Sequence, residues 1–356
     1  MPRRLNPTLA TVNAFRRALP RWYRLHRRDL PWRRACDPYH IWVSEIMLQQ
    51  TRVATVLDYY ARWISEFPTI TALARAPADR VMKRWEGLGY YSRARNLHRA
   101  AKLCRGRVPQ TFAALCALPG IGPYTGAAIA SIAFSERVPV VDGNVARVLA
   151  RVFGITENVK LPATLKRMFA LAEQLMPARH PGDFNQAMME LGALVCTPAR
   201  PLCEGCPLRR VCVAQARGLT ERLPNRGPSA TLVPVTLTAA CVCRGGRVLI
   251  VRRPARGLLA GLWELPAAFP DAGPERFRLS HTITNRRITL RVVDGPAVSI
   301  PPGVRRRWIR REDLRQLSFP AAQRLALQRI FSAQDENGTV GVCQQARENI
   351  TDQRRG

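Results

Sequence analysis

Residues 115–149 read LCALPGIGPYTGAAIASIAFSERVPVVDGNVARVL. In order they spell a helix, a tight hairpin, a second helix, a short extended run and a third helix. Leu118-Pro119-Gly120-Ile121-Gly122 stops the first helix, because a Pro and two Gly supply the backbone freedom of a tight turn. The small-residue run Thr125–Ala130 behind it lets a helix lie close against a neighbour. Backbone N–H groups at Gly120 and Gly122, leading into a helix start, make a phosphate seat that needs no charged side chain. Asp142 follows the apolar Val138–Val141 and precedes Gly143-Asn144 and a new helical run. Taken in isolation, the stretch also reads as a packed turn followed by an ordinary Asp N-cap. The rest of the chain has to decide between the two.

Upstream, Asp37-Pro38 reads as an N-cap with Pro at the first helical position. One long amphipathic helix is predicted from it through IWVSEIMLQQTRVATVLDYYARWI, with Ile46, Val53, Leu57, Tyr60 and Ile64 as its apolar stripe. Glu45 falls about 100° off that stripe, at the edge between core and surface. A partly desolvated acid would sit there, although a Glu at such an edge is ordinarily solvated or salt-bridged. Gly87-Leu88-Gly89-Tyr90-Tyr91-Ser92-Arg93 interrupts the following helices. Its tyrosines read either as half-buried packing or as a wedge between base steps.

Downstream, Cys196, Cys203, Cys206 and Cys212 are spaced C-x6-C-x2-C-x5-C on a short Pro-rich loop. Four thiolates so spaced can surround one zinc ion or one cubane iron–sulfur cluster, and the spacing leaves both open. Residues 215–232 form a linker rich in Arg, Pro and Gly. Short strands are predicted at Thr236–Cys243, Arg247–Val251, Ile288–Val293 and Arg307–Ile309, with a helix at 320–332. The tail from 333 to 356 is polar and is expected to be disordered. The domains expected are therefore 1–214, helical with the cysteine loop at 196–212; the linker; and 233–332, a small α+β domain.

The chain has 356 residues, long enough for two or three cores, and carries 56 Lys and Arg against 25 Asp and Glu, a formal charge of +31. Nearly all the cations are Arg, whose planar fork suits phosphate oxygens and guanine edges. A nucleic-acid partner follows from that balance better than solubility alone does. No signal peptide or long apolar span is read, so a soluble cytoplasmic protein without membrane contact is expected; it is also expected to be monomeric and nucleoid-associated. Ten cysteines in that setting are not a disulfide framework.

The LPGIG hairpin, Val141-Asp142-Gly143-Asn144 and the four-cysteine loop together resemble the helix-hairpin-helix DNA glycosylase superfamily, and the resemblance covers almost the whole ordered chain. It implies an all-helical domain of two lobes with DNA across the cleft. The cysteine gaps resemble its endonuclease III-like branch, which implies a [4Fe–4S] cluster rather than zinc. DLPWR at 29–33, SEIMLQQT at 44–51, GLGYYSRARNL at 87–97 and ELGALVC at 190–196 resemble the MutY-type adenine DNA glycosylases. These imply base excision repair on double-stranded DNA, removing adenine mispaired with 8-oxoguanine or guanine. Gly257–Pro266 resembles part of the Nudix-like, lesion-reading domain of that family. No dense run of Glu follows it, so nucleotide hydrolysis is not expected. Bifunctional relatives place a Lys where this chain has Tyr124. A phenol cannot form a Schiff base, so a monofunctional enzyme is implied.

Residue by residue, the resemblance assigns Glu45 as the acid that protonates the purine, its pKa raised by burial beside Trp42 and the flipped base. Asp142 becomes the carboxylate opposing the oxocarbenium-like sugar. A helix N-terminus stabilises its charge, so it is expected to stay ionised, with covalent and electrostatic roles both open. Tyr124 and Asn144 support the sugar and its nucleophile. Arg33 and Glu190 are expected at the adenine edge, with Trp32 and Leu48 as pocket walls. Gln50, Thr51, Tyr90, Gly120, Gly122 and Thr284 are expected to meet DNA. Ile283-Thr284-Asn285 stands where the family commonly has Phe-Ser-His, so a narrower preference for 8-oxoguanine over guanine is implied. The alternatives are a glycosylase for thymine or another base, and a catalytically silent DNA-binding protein.

Overall fold

The computed structural model describes residues 7–34, 37–228, 231–283, 285–296 and 300–334. They fall into two compact units. One is built from residues within Met1–Ala76 and Asn96–Ser229, the other from residues within Pro77–Arg95 and Ala230–Gly356. Thr284 and residues 335–356 of the tail lie outside the described residues. Among the described residues, no helix is long and apolar enough to cross a membrane.

The first unit is helical. The elements that matter for its cleft are α1 (Pro38–Leu48), α2 (Val53–Glu66), α3 (Pro123–Phe134), α4 (Gly143–Phe153) and α5 (Pro181–Leu194). The long helix expected across Ile41–Ile64 is in fact two, α1 and α2, broken at Gln49–Arg52, where Gln50 takes φ +57°. The break resets the register. The buried stripe of α2 is Val56, Tyr60 and Trp63, continued by Phe67, rather than Val53, Leu57 and Ile64. α1 itself is apolar almost all round, and Tyr39 and Ile41 to Met47 are buried. A helix with no solvent face carries Glu45 inward with it, so this acid is buried at 6 % exposure and not at an edge.

The hairpin between Phe112–Cys116 and α3 forms as the sequence dictates. Gly120 sits at φ +80°, and a Cβ there would lie 2.5 Å from the Asn96 Cβ, so both the turn and the close approach require glycine. Gly122 caps α3 with Pro123 at its first turn. The small residues Thr125 to Ser131 are buried, which allows α3 to run as a central strut of the unit. A second apolar core joins Phe15, Leu19 and Trp22 to Val148, Leu149, Leu171, Phe184 and Leu191.

The second unit contains two small sheets. In one, β1 (Val233–Ala240) pairs parallel with β6 (Arg286–Val293), which pairs antiparallel with β5 (Glu275–Ile283). In the other, β3 (Arg247–Arg252) pairs with β2 (Cys243–Arg244), β4 (Trp263–Glu264) and β7 (Arg306–Ile309). A helix at 321–334 closes the core with Ala326, Leu327, Ile330 and Phe331 against Val248, Ile250, Leu290 and Val292. The sequence reading misses β5, whose arginines interrupt the apolar pattern. β5 nevertheless alternates, with Leu279 turned into the core and Arg276, Arg278 and Ser280 exposed. Pro77–Arg95 is fastened into this unit. Glu86 accepts from Arg324 and from the Phe319 amide, Lys83 reaches the Leu314 and Leu317 carbonyls, and Tyr91 donates to the Phe319 carbonyl.

Candidate active site

One cleft of about 560 Å³ in the helical unit is lined by Glu45, Tyr124, Asp142, Asn144, Arg33, Glu190, Trp32, Leu48 and Thr51. Nine residues singled out in the sequence are thus brought together. Arg28 and Met189, which the sequence reading passed over, line it too. Arg28 was hidden in a chain so rich in arginine that one more carries no signal.

The two carboxyls Glu45 and Asp142 meet different surroundings. On Glu45, Oε2 accepts one hydrogen bond, from the Tyr124 hydroxyl at 2.8 Å. Burial pushes its pKa up to about 7. The Tyr124 hydroxyl opposes that shift, the Asp142 charge adds to it, and Arg33 works against it. Asp142 is the N-cap of α4. Its Oδ1 accepts from the Asn144 and Val145 amides at 2.9 and 2.7 Å, and its Oδ2 from the Asn144 Nδ2 at 2.9 Å. The helix terminus was expected to hold this carboxyl down. Burial proves the larger influence and raises it above its ordinary value, with the three N–H donors and Arg147 restraining the rise. The asymmetry between the two remains. Asp142 has three N–H donors aimed at it, whereas Glu45 has a single phenol.

Tyr124 stays protonated because burial, with Glu45 and Asp142 nearby, raises its pKa well above the ordinary value. It is therefore a fixed donor. Asn144 is held from both ends: its Nδ2 donates to Asp142, and its Oδ1 accepts from Arg147 Nη2 at 2.8 Å. The buried Arg147 also donates to the Gly192 and Cys196 carbonyls, at 2.8 and 2.7 Å. A Cβ at Gly192 would lie 2.6 Å from the Asn144 Cβ, so glycine is what lets α5 pack against the start of α4 here.

At the other side of the cleft, both Glu190 oxygens are taken. Arg28 approaches through its amide, Nε and Nη2 at 2.8–2.9 Å, and Arg33 through Nη1 and Nη2 at 3.1 and 2.9 Å. Burial disfavours the charged Glu190, but these guanidiniums outweigh it and draw the carboxyl down to about 2. Arg33 and Glu190 therefore face the cleft as parts of one ion cluster, not as two free contacts. Trp32 is buried edge-on to Tyr60, with ring centroids 5.2 Å apart, and forms a wall.

Gln50 is exposed and projects from a left-handed backbone position, and Gly120 and Gly122 lie at an exposed turn. In the second unit, Tyr90 is 44 % exposed at φ +46°. Cys196, Cys203, Cys206 and Cys212 all line one small cavity of about 20 Å³, with Val148, Leu208 and Arg151. The buried Arg151 donates to the Cys196 Sγ at 3.3 Å and to the Thr197 and Pro198 carbonyls. Among the described residues, no three His, Cys, Asp or Glu side chains close to the spacing of a single metal ion. Four thiols on one shared cavity, with the buried Arg151 guanidinium donating to the Cys196 sulfur, are a donor set that suits an anionic, thiolate-ligated centre.

Residues 43–176 match the model of the HhH-GPD superfamily of base excision DNA repair proteins, and residues 238–329 that of the NUDIX domain. The human adenine DNA glycosylase is 36 % identical over 94 % of this chain and 77 % of its own length. The adenine DNA glycosylase of Buchnera aphidicola (subsp. Baizongia pistaciae) is 41 % identical over 73 % of this chain and 74 % of its own. Among solved structures, a thermostable thymine-DNA glycosylase superposes with TM-score 0.54 at 31 % identity, covering 58 % of this chain and 98 % of that one.

Proposed function

Since the chain belongs to the adenine DNA glycosylases of the HhH-GPD base excision repair superfamily and acts on DNA, we propose that the cleft excises adenine paired with 8-oxoguanine or guanine, using Glu45 as acid and Asp142 as counter-charge. The observation that carries this reading is the pair of carboxyls in one cleft, a half-buried Asp142 restrained by three N–H donors and a buried Glu45 restrained by a single hydroxyl.

An adenine turned out of the stack enters the cleft against Trp32 and Leu48. Glu45, with a pKa near 7, keeps its proton in about half of the molecules at neutral pH and gives it to a ring nitrogen, which makes the base a leaving group. Positive charge then grows on the sugar as its bond to adenine breaks, and Asp142 opposes it while Asn144 and the α4 amides keep the carboxylate in place, until a water adds to the anomeric carbon and loses its proton. The ion cluster of Arg28, Arg33 and Glu190 fixes the edge of the pocket. With Tyr124 in place of an amine, the reaction stops at base release. The fold admits other bases, but no thymine release from a thymine–guanine pair is expected.

Cys196, Cys203, Cys206 and Cys212 would hold a [4Fe–4S] cluster, whose sulfur-ligated irons have no open position for hydrolytic chemistry. Purified protein should carry roughly four irons and no zinc; stoichiometric zinc would overturn this. The chain is proposed to act as a monomer.

The mispair is tested by single-turnover adenine release from duplexes holding adenine opposite 8-oxoguanine and opposite guanine. A polar contact to a base edge is worth ~1–3 kcal/mol, so Thr284→Ala should cut the ratio of the two rates by up to about two orders of magnitude. An unchanged ratio would remove this loop from lesion reading. Point substitution is preferable to deleting the C-terminal domain. Deletion would also remove the Arg324, Leu314, Leu317 and Phe319 groups that Glu86, Lys83 and Tyr91 bind, and so disturb the Tyr90 loop.

A further inference from the structure

Outside the cleft and the four-cysteine loop, the second unit holds another pair of thiols. Cys241 follows β1 directly and Cys243 opens β2. The backbone between them is pinned on both sides: the Cys241 amide donates to the Val293 carbonyl at 2.8 Å and the Leu249 amide to the Val242 carbonyl at 3.0 Å. The two Sγ atoms lie 3.6 Å apart. We propose that Cys241 and Cys243 form a redox modification site, which closes to an intramolecular disulfide by exchange with small-molecule disulfides. From 3.6 Å to a bond length of about 2.05 Å requires the sulfurs to approach by about 1.5 Å, within the reach of side-chain rotation.

The pair is also divided chemically. Cys243 is exposed and Cys241 is buried. Groups from three elements face them: Arg276 on β5, Asp294 just past β6 and ion-paired to Arg276, and Gln334 at the end of the last helix. The two sulfurs share one S–H···S contact, and with the proton on Cys241 it lowers the Cys243 pKa to about 7. Burial opposes the shift, Arg276 assists it, Asp294 opposes it and Gln334 assists it. Cys241 moves the other way, because the proton it lends to Cys243, and then its burial, keep it a thiol. An exposed thiolate beside a buried, protonated thiol is the arrangement of an attacking and a resolving cysteine.

The exchange balances. The Cys243 thiolate attacks one sulfur of the small disulfide, forming a mixed disulfide and expelling one thiolate. Cys241 then gives up its proton and attacks the Cys243 sulfur, closing the protein disulfide and expelling the second thiolate, which takes a proton. Two electrons pass from the protein dithiol to the small disulfide, which leaves as two thiols.

The test uses the full chain and oxidised glutathione. Trypsin releases Gly227–Arg244, a peptide that contains both cysteines and no others. After exchange it should have lost two hydrogens and resist alkylation. Cys241→Ser should stop at a glutathione mixed disulfide on Cys243. Before exchange, a thiol with pKa about 7 is half ionised at pH 7, against about a hundredth for one at the ordinary 9.0. After allowing for the lower nucleophilicity of an acidic thiolate, iodoacetamide should modify Cys243 roughly five- to tenfold faster than an unperturbed cysteine. Two alkylatable thiols remaining on the wild-type peptide after exchange would overturn the proposal, as would Cys243 reacting no faster than an unperturbed cysteine.

Discussion

The sharpest perturbation of the cleft is Tyr124→Phe. Its hydroxyl donates to Glu45 at 2.8 Å, with the Met189 sulfur at 3.5 Å as a weak second neighbour. A hydrogen bond to a charged acceptor is worth ~1.5–3 kcal/mol and favours the ionised form of Glu45. At 1.36 kcal/mol per pKa unit, removing it should raise Glu45 from about 7 by about one to two units. Only the protonated form can donate to the base, so the rate falls as pH rises through this pKa. The variant's alkaline limb therefore moves upward. At pH 8 the wild type retains about a tenth of its own plateau, whereas the variant should retain half or more of its own. The assay is single-turnover adenine release between pH 6 and 9.5, each protein normalised to its plateau. Normalisation removes any loss of plateau height that comes from Tyr124 supporting the sugar. A limb that stays where the wild type has it would refute the assignment of that limb to Glu45.

Asp142→Asn should lower the single-turnover rate by roughly 10²–10⁴. Because Asn also caps helices well, its melting temperature should stay within a degree or two of the wild type. Gly192→Ala places a methyl 2.6 Å from the Asn144 Cβ and 3.0 Å from its backbone, so it should cost about 1–3 kcal/mol in denaturant unfolding and slow base release, displacing Asn144 from Asp142. Glu190 lies below its ordinary 4.5, at about 2, so its contribution is fully present above pH 4.5 and is lost as pH falls toward 2. Glu190→Gln should remove about 3 kcal/mol at pH 7 and leave a shallower acid limb in a stability–pH series. Glu86→Gln, which breaks the contacts to Arg324 and Lys83, should speed proteolysis within residues 87–91 several-fold with little effect on the helical unit's melting.

Local chemistry made much of this legible in the sequence. Pro and Gly at 119–122 announced the hairpin, Asp142 before Gly143-Asn144 announced a cap, and both stand as read. The break at Gln49–Arg52 carries no Pro or Gly to mark it, so the sequence pattern runs the two helices together. A pattern without that break also predicts the wrong buried side for α2. A single helix through Ile64 also puts Glu45 at an edge, whereas α1, apolar almost all round, carries it inward. Pairings made across long stretches of chain were invisible. Nothing near Glu190 in sequence shows that Arg28 and Arg33 saturate it, and nothing near Asn144 shows that Gly192 makes room for it. The helix N-terminus at Asp142 suggested a lowered pKa, but only the fold shows how much water the cleft excludes there. β5 is hard to see in the sequence because its outward arginines mask the inward Leu279.

The most direct test of the central claim is single-turnover adenine release by Glu45→Gln from a duplex with adenine opposite 8-oxoguanine, with duplex affinity measured on the same protein. The amide keeps the shape of the side chain and removes its proton. Affinity should hold within a few-fold, while release falls by about 10²–10⁴ at every pH from 6 to 8. Release within threefold of the wild type would show that Glu45 does not supply the proton.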